Sequence, residues 1–215
     1  ILSDPTRNIA LPKEERRLPK AILTEKEVMM ILQSCDTRTP LGLRNRAVLE
    51  LLYACGMRTF ELCNLKISDL SLKDQTALIE KGKGNVSRLV PIGQYATLYI
   101  QAYLKKGRKF FLRGKRSDPG NLFLTQFGNP FDRKSINKSI MKSVQRKLKM
   151  KKNLTVYSFR HAAATHLLHR NVDVAYIAQL LGHRSLNTTQ QYLKIEIGDL
   201  KQMHALYHPR ERQDR

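Results

Sequence analysis

The residue types in this sequence that can do chemistry lie in three short segments. Residues 56–62 read Gly-Met-Arg-Thr-Phe-Glu-Leu, residues 81–85 read Lys-Gly-Lys-Gly-Asn, and the stretch 157–192 begins and ends with a tyrosine. A guanidinium group meets two phosphate oxygens at once, a lysine can protonate a leaving oxygen, and a phenolic oxygen can hold a phosphoryl group covalently. Each segment alone is a weak signal, because a single arginine is usually a surface residue and Gly-Lys-Gly is usually a hairpin turn. Together they hold the groups that cleavage of a phosphodiester requires.

The charge of the chain indicates the kind of partner that such groups would meet. The 215 residues include 39 Lys and Arg against 18 Asp and Glu, which gives a formal net charge of +21. The densest basic region lies between residues 101 and 152, with sixteen basic residues and two acidic ones. Basic side chains that face phosphates release condensed counterions, so a surplus of this size favours a nucleic acid as partner. An RNA-binding or ribosomal protein is the alternative that charge alone leaves open.

Several other classes of protein are disfavoured. No apolar run approaches the ~20 residues that span a bilayer, so we expect no membrane partner and a soluble, cytoplasmic protein associated with the nucleoid. The three cysteines, Cys35, Cys55 and Cys63, lie in apolar segments outside any CxxC pair, which predicts free thiols. The closely spaced histidines at 161, 166 and 169 match no zinc pattern, and no Walker or GxGxxG motif occurs, so we expect neither a metal nor a cofactor.

In their order and spacing, the motifs resemble those of the tyrosine recombinase, or phage integrase, family, and they are most similar to those of Xer-type recombinases. The family's first motif, Gly-x-Arg-x-x-Glu-Leu, is matched at 56–62, and its hairpin lysine falls on Lys83. Its His-x-x-Arg-His motif reads Tyr-Ser-Phe-Arg-His at 157–161, and its Leu-Gly-His element falls on 181–183. The nucleophile falls on Tyr192, nine positions after that histidine.

The resemblance implies a role for each matched residue. Tyr192 would attack the phosphodiester, and Lys83 would protonate the leaving 5′ oxygen, with Lys81 as its local competitor. His183 would hydrogen-bond the transferring phosphate or help to manage its protons. Arg58 and Arg160 would clamp the phosphate, and Glu61 and His161 would support the site. The candidates for DNA contact are the basic residues Lys81, Arg88, Lys134 and Lys138.

Tyr157 is the main departure from the family pattern. The family usually has histidine at this position, where it assists proton transfer, whereas a tyrosine with a reference pKa of ~10 would chiefly donate a hydrogen bond. We therefore expect Tyr157 to orient the phosphate or to fill the space, and we include it among the candidate catalytic residues. A non-catalytic DNA-binding protein on the same fold is the alternative that this substitution suggests.

The elements that must position these residues are mostly helices. A Thr24-x-x-Glu27 capping box predicts a helix of about ten to twelve residues, and apolar residues from Leu43 to Ala54 predict a second helix that ends at Gly56. The remaining predictions are a short helix at 57–65, a hairpin of strands at 77–79 and 88–92, a short strand at 122–124, and helices at 94–106, 134–149, 158–169, 173–181, 187–194 and 198–206. The predicted fold class is therefore mainly α with a small antiparallel β-sheet (α+β), the fold of a tyrosine recombinase catalytic domain.

The proline-containing residues 1–23 show no periodicity and predict an interdomain linker, so we expect the N-terminal core-binding domain of the family to be absent from this sequence. Residues 24–194 would form the catalytic domain. The segment 195–215 would be a C-terminal helix and tail that is either exchanged between protomers or packed on its own domain.

The resemblance implies a site-specific recombinase that cleaves and rejoins double-stranded DNA through a 3′-phosphotyrosine. It would act as a homotetramer on two DNA sites or as a paired recombinase, and accessory DNA-binding proteins are further candidate partners. Integration or excision of a mobile element and Xer-type resolution both remain open as biological roles, and relaxation of supercoils by a type IB topoisomerase mechanism is a further alternative.

Overall fold

The computed structural model describes residues 22–80, 87–182 and 197–212. These residues form a mostly helical domain with one three-stranded antiparallel sheet, which confirms the predicted fold class. None of the helices in this part of the chain is both long and apolar enough to span a bilayer.

The first helices begin and end where the local sequence signals predict. Helix α1 (Glu25–Gln33) starts at a complete capping box, in which the Thr24 N–H donates to Glu27 (2.7 Å) and the Glu27 N–H donates to the Thr24 hydroxyl (3.2 Å). Helix α2 (Pro40–Cys55) has proline in its first turn and ends at Gly56, which adopts the left-handed conformation with φ of 56°. Helix α3 (Thr59–Asn64) follows after two residues.

The sheet confirms the predicted hairpin and adds one strand. Strands β2 (Thr76–Ile79) and β3 (Arg88–Pro91) pair antiparallel, with Ala77 opposite Val90 and Ile79 opposite Arg88. Strand β1 (Leu70–Ser71), which the sequence did not predict, pairs with the other side of β2 and follows a 3₁₀ turn at Ile67–Asp69. The loop that carries Lys81 and Lys83 lies outside the described residues.

The remaining helices follow the predicted pattern, with two π-helical turns that the sequence did not predict. Their bounds are α4 (Gly93–Ala102), a π turn (Tyr103–Gly107), α5 (Arg108–Phe111), α6 (Arg133–Ile136), a second π turn (Asn137–Met141), α7 (Lys142–Lys147), α8 (Val156–His169), α9 (Val174–Leu181), α10 (Ile197–Tyr207) and a 3₁₀ turn (Pro209–Arg212). The predicted helix at 187–194 lies outside the described residues.

The predicted strand at 122–124 is wrong as a strand. Isolated bridges flank it, from Asn121 to Lys66 and from Leu124 to Pro130, but no ladder forms. The three residues at 122–124 are nevertheless almost fully buried. The apolar run therefore predicts burial correctly. The segment at 65–67 bonds to residues 120 and 122, with the Leu122 N–H donating to the Leu65 carbonyl (2.8 Å) and the Ile67 N–H to the Gly120 carbonyl (3.0 Å), but the contact is too short to extend beyond single bridges.

Helix α2 is the centre of the core. All residues from Gly42 to Cys55 are buried, including the charged Arg46 and Glu50. Glu50 pairs with Arg46 one turn away (2.8 Å) and with Arg210 from the C-terminal 3₁₀ turn (3.0 Å), because a buried carboxylate needs charged partners. Helices α4, α8 and α10 surround this helix or its end.

Both ends of the described chain are tied to the domain. The Leu23 carbonyl lies 2.9 Å from His166 Nε2, and the Tyr53 hydroxyl lies 2.8 Å from the other ring nitrogen of His166. At the other end, α10 packs against β3 and α4 of its own chain. In this single chain, the described part of the predicted C-terminal segment therefore packs on its own domain.

Three buried histidines predict acid sensitivity. Burial lowers the pKa of His204 to about 4, and it lowers the pKa of His166 and His208 below the ordinary value. The unfolded chain therefore binds more protons than the folded chain below pH ~6.5. We expect the free energy of unfolding to fall as the pH drops from 7 to 5, by at most ~1.4 kcal/mol per pH unit for each histidine. Urea unfolding at several pH values measures this slope.

A His204→Gln/His208→Gln variant should show a flatter pH dependence, whereas His169→Gln, at an exposed position of α8, should leave it unchanged. Carboxylates whose reference pKa lies near 4 contribute mainly below this range. Equal slopes in all three proteins would contradict the assignment to the buried histidines.

Candidate active site

Glu61 is the buried carboxylate around which the site is built. It lies in the first turn of α3 and is 6% exposed. One carboxylate oxygen accepts the backbone N–H of Arg58 (2.8 Å), and the two oxygens accept both terminal nitrogens of Arg88 (2.8 and 2.9 Å). Burial alone would raise the pKa of Glu61, but the hydrogen bonds from Arg88 and Arg58 outweigh it and hold the pKa below its ordinary value. Glu61 is therefore an anion that orients two guanidinium groups.

The same two guanidinium groups bind the carboxyl end of helix α9. Arg88 Nε donates to the Leu180 carbonyl (3.2 Å), and Arg58 Nη2 donates to the Gly182 carbonyl (2.9 Å). Carbonyls in the last turn of a helix have no partner within the helix, and cations are favoured there. Gly182 has φ of +66°, and a Cβ atom on it would lie 2.8 Å from Arg88 Nη1. Only glycine therefore lets the helix end approach Arg88 so closely.

Arg160 reaches the cluster from helix α8. It is 8% exposed, and its Nη1 donates to the Gly56 carbonyl (2.6 Å) at the end of α2. Burial, together with the positive charge of Arg58, lowers the pKa of Arg160 to about 10. The guanidinium stays charged at neutral pH. Together with Glu61, the three arginines carry two net positive charges, which is an electrostatic setting suited to a phosphate.

Arg58 is the most open member of this cluster. Its side chain is 44% exposed, compared with 10% for Arg88. A bound phosphate could therefore reach Arg58 directly, whereas the nitrogens of Arg88 are already hydrogen-bonded to Glu61 and to the end of α9. Arg88, a predicted DNA contact, is hydrogen-bonded within the protein to Glu61 and to the Leu180 carbonyl. The sequence held a signal for this position, because Arg88 shares a strand face with the buried Val90.

Tyr157 and His161 lie on one face of helix α8 beside Arg160. Tyr157 is 68% exposed, and its ring is nearly parallel to that of His161, with an interplanar angle of 13° and centroids 5.9 Å apart. Residues 157 and 160 are one turn apart and so share a helix face. The Tyr157 side chain is therefore exposed on the helix face that also carries Arg160.

The residues with the most reactive predicted roles, Lys83, Lys81, His183 and Tyr192, lie outside the described residues. The described chain leads directly into both segments that hold them. Strand β2 ends at Ile79 and β3 begins at Arg88, which contacts Glu61. Helix α9 ends one residue before Gly182, whose carbonyl is bound by Arg58. The arginine cluster therefore anchors the strand after the lysine loop and the helix before the histidine.

The two predicted lysine contacts to DNA are exposed on a neighbouring helix. Lys134 lies in α6 and Lys138 in the π turn that follows, four residues apart on one face. Helix α6 packs on α3, and Arg133 lies over the ring of Phe60 at 5.1 Å. Lys134 therefore lies on helix α6, which packs on α3, and Lys138 lies on the π turn that continues α6. Arg58 is the N-cap residue of α3.

The cluster described above combines guanidinium groups held by protein contacts with a net positive charge, a combination suited to proteins that bind phosphate esters. In agreement, the model of the phage integrase family matches residues 21–197. The chain is 39% identical over 208 residues to tyrosine recombinase XerD of Halalkalibacterium halodurans, an alignment that covers 97% of this chain and 68% of that protein. The chain therefore belongs to the phage integrase family, the tyrosine recombinases that cleave and rejoin DNA.

Two solved structures agree with this assignment. The XerA recombinase has a TM-score of 0.65 at 29% identity, covering 88% of this chain and 66% of that one. The XerH site-specific recombinase, in a pre-cleavage complex with its difH substrate, has a TM-score of 0.63 at 30% identity, covering 80% of this chain and 49% of that one. The chain thus spans about two thirds of XerD and XerA and about half of the XerH chain.

Replacing Arg88 by lysine tests whether bidentate geometry holds the cluster together. Lysine keeps the charge but cannot bind both oxygens of Glu61 and the Leu180 carbonyl in one plane. We expect Arg88→Lys to lower the free energy of unfolding by about 1–3 kcal/mol, measured by urea denaturation. The matched control is Arg38→Lys, which alters a solvent-exposed pair with Asp36 and should have no measurable effect. Equal stability of both variants would show that charge alone suffices at position 88.

Proposed function

We propose that this protein is a site-specific DNA recombinase that cleaves and rejoins duplex DNA through a phosphotyrosine at Tyr192. The observation that carries the proposal is the position of Arg58 on the end of helix α9. The chain continues from this helix end through His183 to Tyr192 within ten residues. A phosphate held by Arg58 and Arg160 would therefore lie at the start of the segment that carries the nucleophile.

The proposed reaction is a transfer between two oxygens. The phenolic oxygen of Tyr192 attacks phosphorus, the bond from phosphorus to the 5′ oxygen breaks, and Lys83 donates the proton that this oxygen takes up. His183 accepts the phenolic proton and also hydrogen-bonds the phosphate. The 5′-hydroxyl of a partner strand then attacks the phosphotyrosine, which restores the phosphodiester and the phenol. No hydrolysis occurs, so the ester bond is conserved.

The arginines have the geometry to stabilise the transition state. Negative charge develops on the non-bridging oxygens, and guanidinium groups fixed by protein contacts need little reorganisation to meet it. Arg160 is fixed by the Gly56 carbonyl and Arg58 by Glu61. The exposed hydroxyl of Tyr157 would donate a hydrogen bond to the same phosphate, as a substitute for the histidine of the family motif.

The proposed partner is double-stranded DNA, as in the XerH complex with difH. We further propose residues 24–194 as the catalytic domain, with 1–23 as a linker and 195–215 as a tail that can be exchanged within a tetramer on two DNA sites. Bacterial Xer proteins among the relatives favour an Xer-type role on nucleoid DNA. Integration or excision of a mobile element is the other use of the same chemistry.

Covalent capture tests the proposed nucleophile. The chain would be incubated with nicked suicide duplexes that carry a randomised recognition region, and adducts that survive denaturation would be collected and sequenced. We expect the unmodified chain to form an adduct, Tyr192→Phe to form none, and Tyr157→Phe to retain the adduct at reduced yield. Tyr157→Phe is the matched control because it removes a phenol from the same region.

Two results would contradict this proposal. An adduct that persists in Tyr192→Phe and disappears in Tyr157→Phe would move the nucleophile to Tyr157. Sequence-specific binding with no adduct from any protein would favour the non-catalytic DNA-binding alternative. On a recovered site, exchange of strands between two duplexes separates recombination from topoisomerase-like relaxation of a supercoiled circle.

Substitution of the clamps tests the second part of the mechanism. We expect Arg58→Lys and Arg160→Lys each to slow adduct formation by about 10²–10³-fold, because the transition state loses a bidentate partner. Binding to the same duplex, measured by fluorescence anisotropy with the Tyr192→Phe background, should change much less. A parallel loss of binding and cleavage would instead assign these arginines to ground-state DNA binding.

The salt dependence of binding tests Lys134 and Lys138. If each neutralises one phosphate, Lys134→Ala and Lys138→Ala should each reduce the slope of log K against log [salt] by about 0.9, on specific and random duplexes alike. Lys134→Arg and Lys138→Arg are the charge-conserving controls and should preserve the slope. Unchanged slopes in the alanine variants would remove these lysines from the DNA interface.

A further inference from the structure

The carboxyl end of helix α2 is capped by two histidines from the C-terminal helix. His208 Nε2 lies 3.1 Å from the Tyr53 carbonyl, and His204 Nε2 lies 3.1 Å from the Ala54 carbonyl. Both carbonyls belong to the last turn of α2, where a helix leaves its acceptors without partners. The capping groups come from about 150 residues later in the chain.

The hydrogen bonds of His208 determine its protonated nitrogen. Its Nδ1 accepts the backbone N–H of Arg210 (3.2 Å), so in the neutral ring the proton is on Nε2, which donates to Tyr53. The His204 ring stacks on the His208 ring, with centroids 4.4 Å apart and planes 8° apart. Both residues are buried, at 5% and 0% exposure. Two neutral rings suit this arrangement, because two imidazolium ions would repel each other.

Only a few residues separate the capped turn from the catalytic cluster. After Ala54 and Cys55 come Gly56, whose carbonyl binds Arg160, then the fully buried Met57, and then Arg58. Gly56 is in the left-handed conformation, and a Cβ atom there would collide with Leu181 of α9. The path from α2 to Arg58 is therefore tightly packed, and a shift of the last turn of α2 would be transmitted to Arg58.

We propose that His204 and His208 are positioning residues for Arg58, which they hold in place by capping the last turn of helix α2. The proposal rests on the proposed function, because its consequence is measured on the cleavage step. In this arrangement the C-terminal segment contributes to the active site without touching DNA. Cleavage then requires this segment to be docked with both rings in the neutral form.

The charged and titratable neighbours of the pair come from each element packed around it. Helix α2 contributes Tyr53 and Glu50, helix α8 and its C-cap contribute His166 and Arg170, and the C-terminal 3₁₀ turn contributes Arg210 and Glu211. Arg210 pairs with Glu50, and Glu211 accepts the backbone N–H of Gln94 at the start of α4. These acids are thus already bound to other groups, and protonation of the histidine pair would lack a nearby free counter-ion among the described residues.

The test compares variants that keep or remove the capping donor. His204→Gln and His208→Gln retain a side-chain N–H, whereas His204→Leu and His208→Leu do not. We expect the leucine variants to form adduct about 10–100-fold more slowly at saturating DNA, with binding changed less than threefold, and the glutamine variants to recover part of the rate. Leu200→Ala, at a buried position of the same helix, is the control that lowers stability without removing a cap, and it should cleave at nearly the normal rate below its melting transition.

A double-mutant cycle distinguishes positioning from a general structural role. In the Arg58→Ala background, adding His204→Leu should slow cleavage by less than threefold, because the residue through which the histidine acts is gone. An undiminished 10–100-fold effect in that background would overturn the proposal. Equal defects in the leucine and glutamine variants would overturn it as well.

A second readout does not depend on activity. Hydrogen exchange should show faster exchange of the amides at 56–61 in His204→Leu than in Leu200→Ala of matched stability. Failure of the unmodified chain to form any adduct would reject the proposed function, while this exchange pattern would still support the positioning of residues 56–61. Unchanged exchange at 56–61 would reject the positioning role even if cleavage is observed.

Discussion

The ion pair between the buried Glu61 carboxylate and the Arg88 guanidinium is the interaction on which the rest of the site depends. Arg58, Arg88 and Arg160 carry like charges close together, and their repulsion would separate them without an anion among them. Glu61 supplies that anion and also receives the backbone N–H of Arg58. Because Glu61 takes both terminal nitrogens of Arg88, it leaves Arg58 as the exposed cation that can meet a substrate phosphate.

Side chains that bind the free carbonyls at helix ends are the second recurring feature of this domain. The carbonyl end of α9 is bound by Arg58 and Arg88, and the carbonyl end of α2 is bound by Arg160 and two histidines. Each end is followed at once by a segment with a proposed catalytic role. The partners of these carbonyls come from distant parts of the chain, so the local geometry of the site depends on the global fold. A substitution far from the cluster, in α10 for example, can therefore change the position of a phosphate clamp.

Most of the secondary structure could be predicted because its signals are local. The capping box at Thr24 and the terminal glycines Gly56 and Gly182 involve residues a few positions apart, and the structure has each helix boundary where these signals predict it. The incorrect predictions, by contrast, concern which segments pair as strands. Strand β1 has only two residues and is defined by its pairing with β2, and the apolar residues 122–124 form single bridges and isolated hydrogen bonds rather than a ladder. Whether a short segment forms a ladder depends on the register and length of its partner, and a single-segment pattern does not contain that information.

The sequence alone determined which chemical groups are present and in what order, because the motifs around Arg58 and Arg160 and their spacing along the chain are independent of conformation. It therefore sufficed to predict the family and the fold class. Tertiary structure decided how those groups are used. Arg88, which the resemblance predicts as a DNA contact, binds Glu61 and the Leu180 carbonyl, which lie 27 and 92 residues away in the sequence. His204 and His208, to which the sequence assigned no role, cap α2 because folding brings the last helix onto the end of the second. A side chain's role depends on its charged and hydrogen-bonding neighbours, and only the folded chain defines those neighbours.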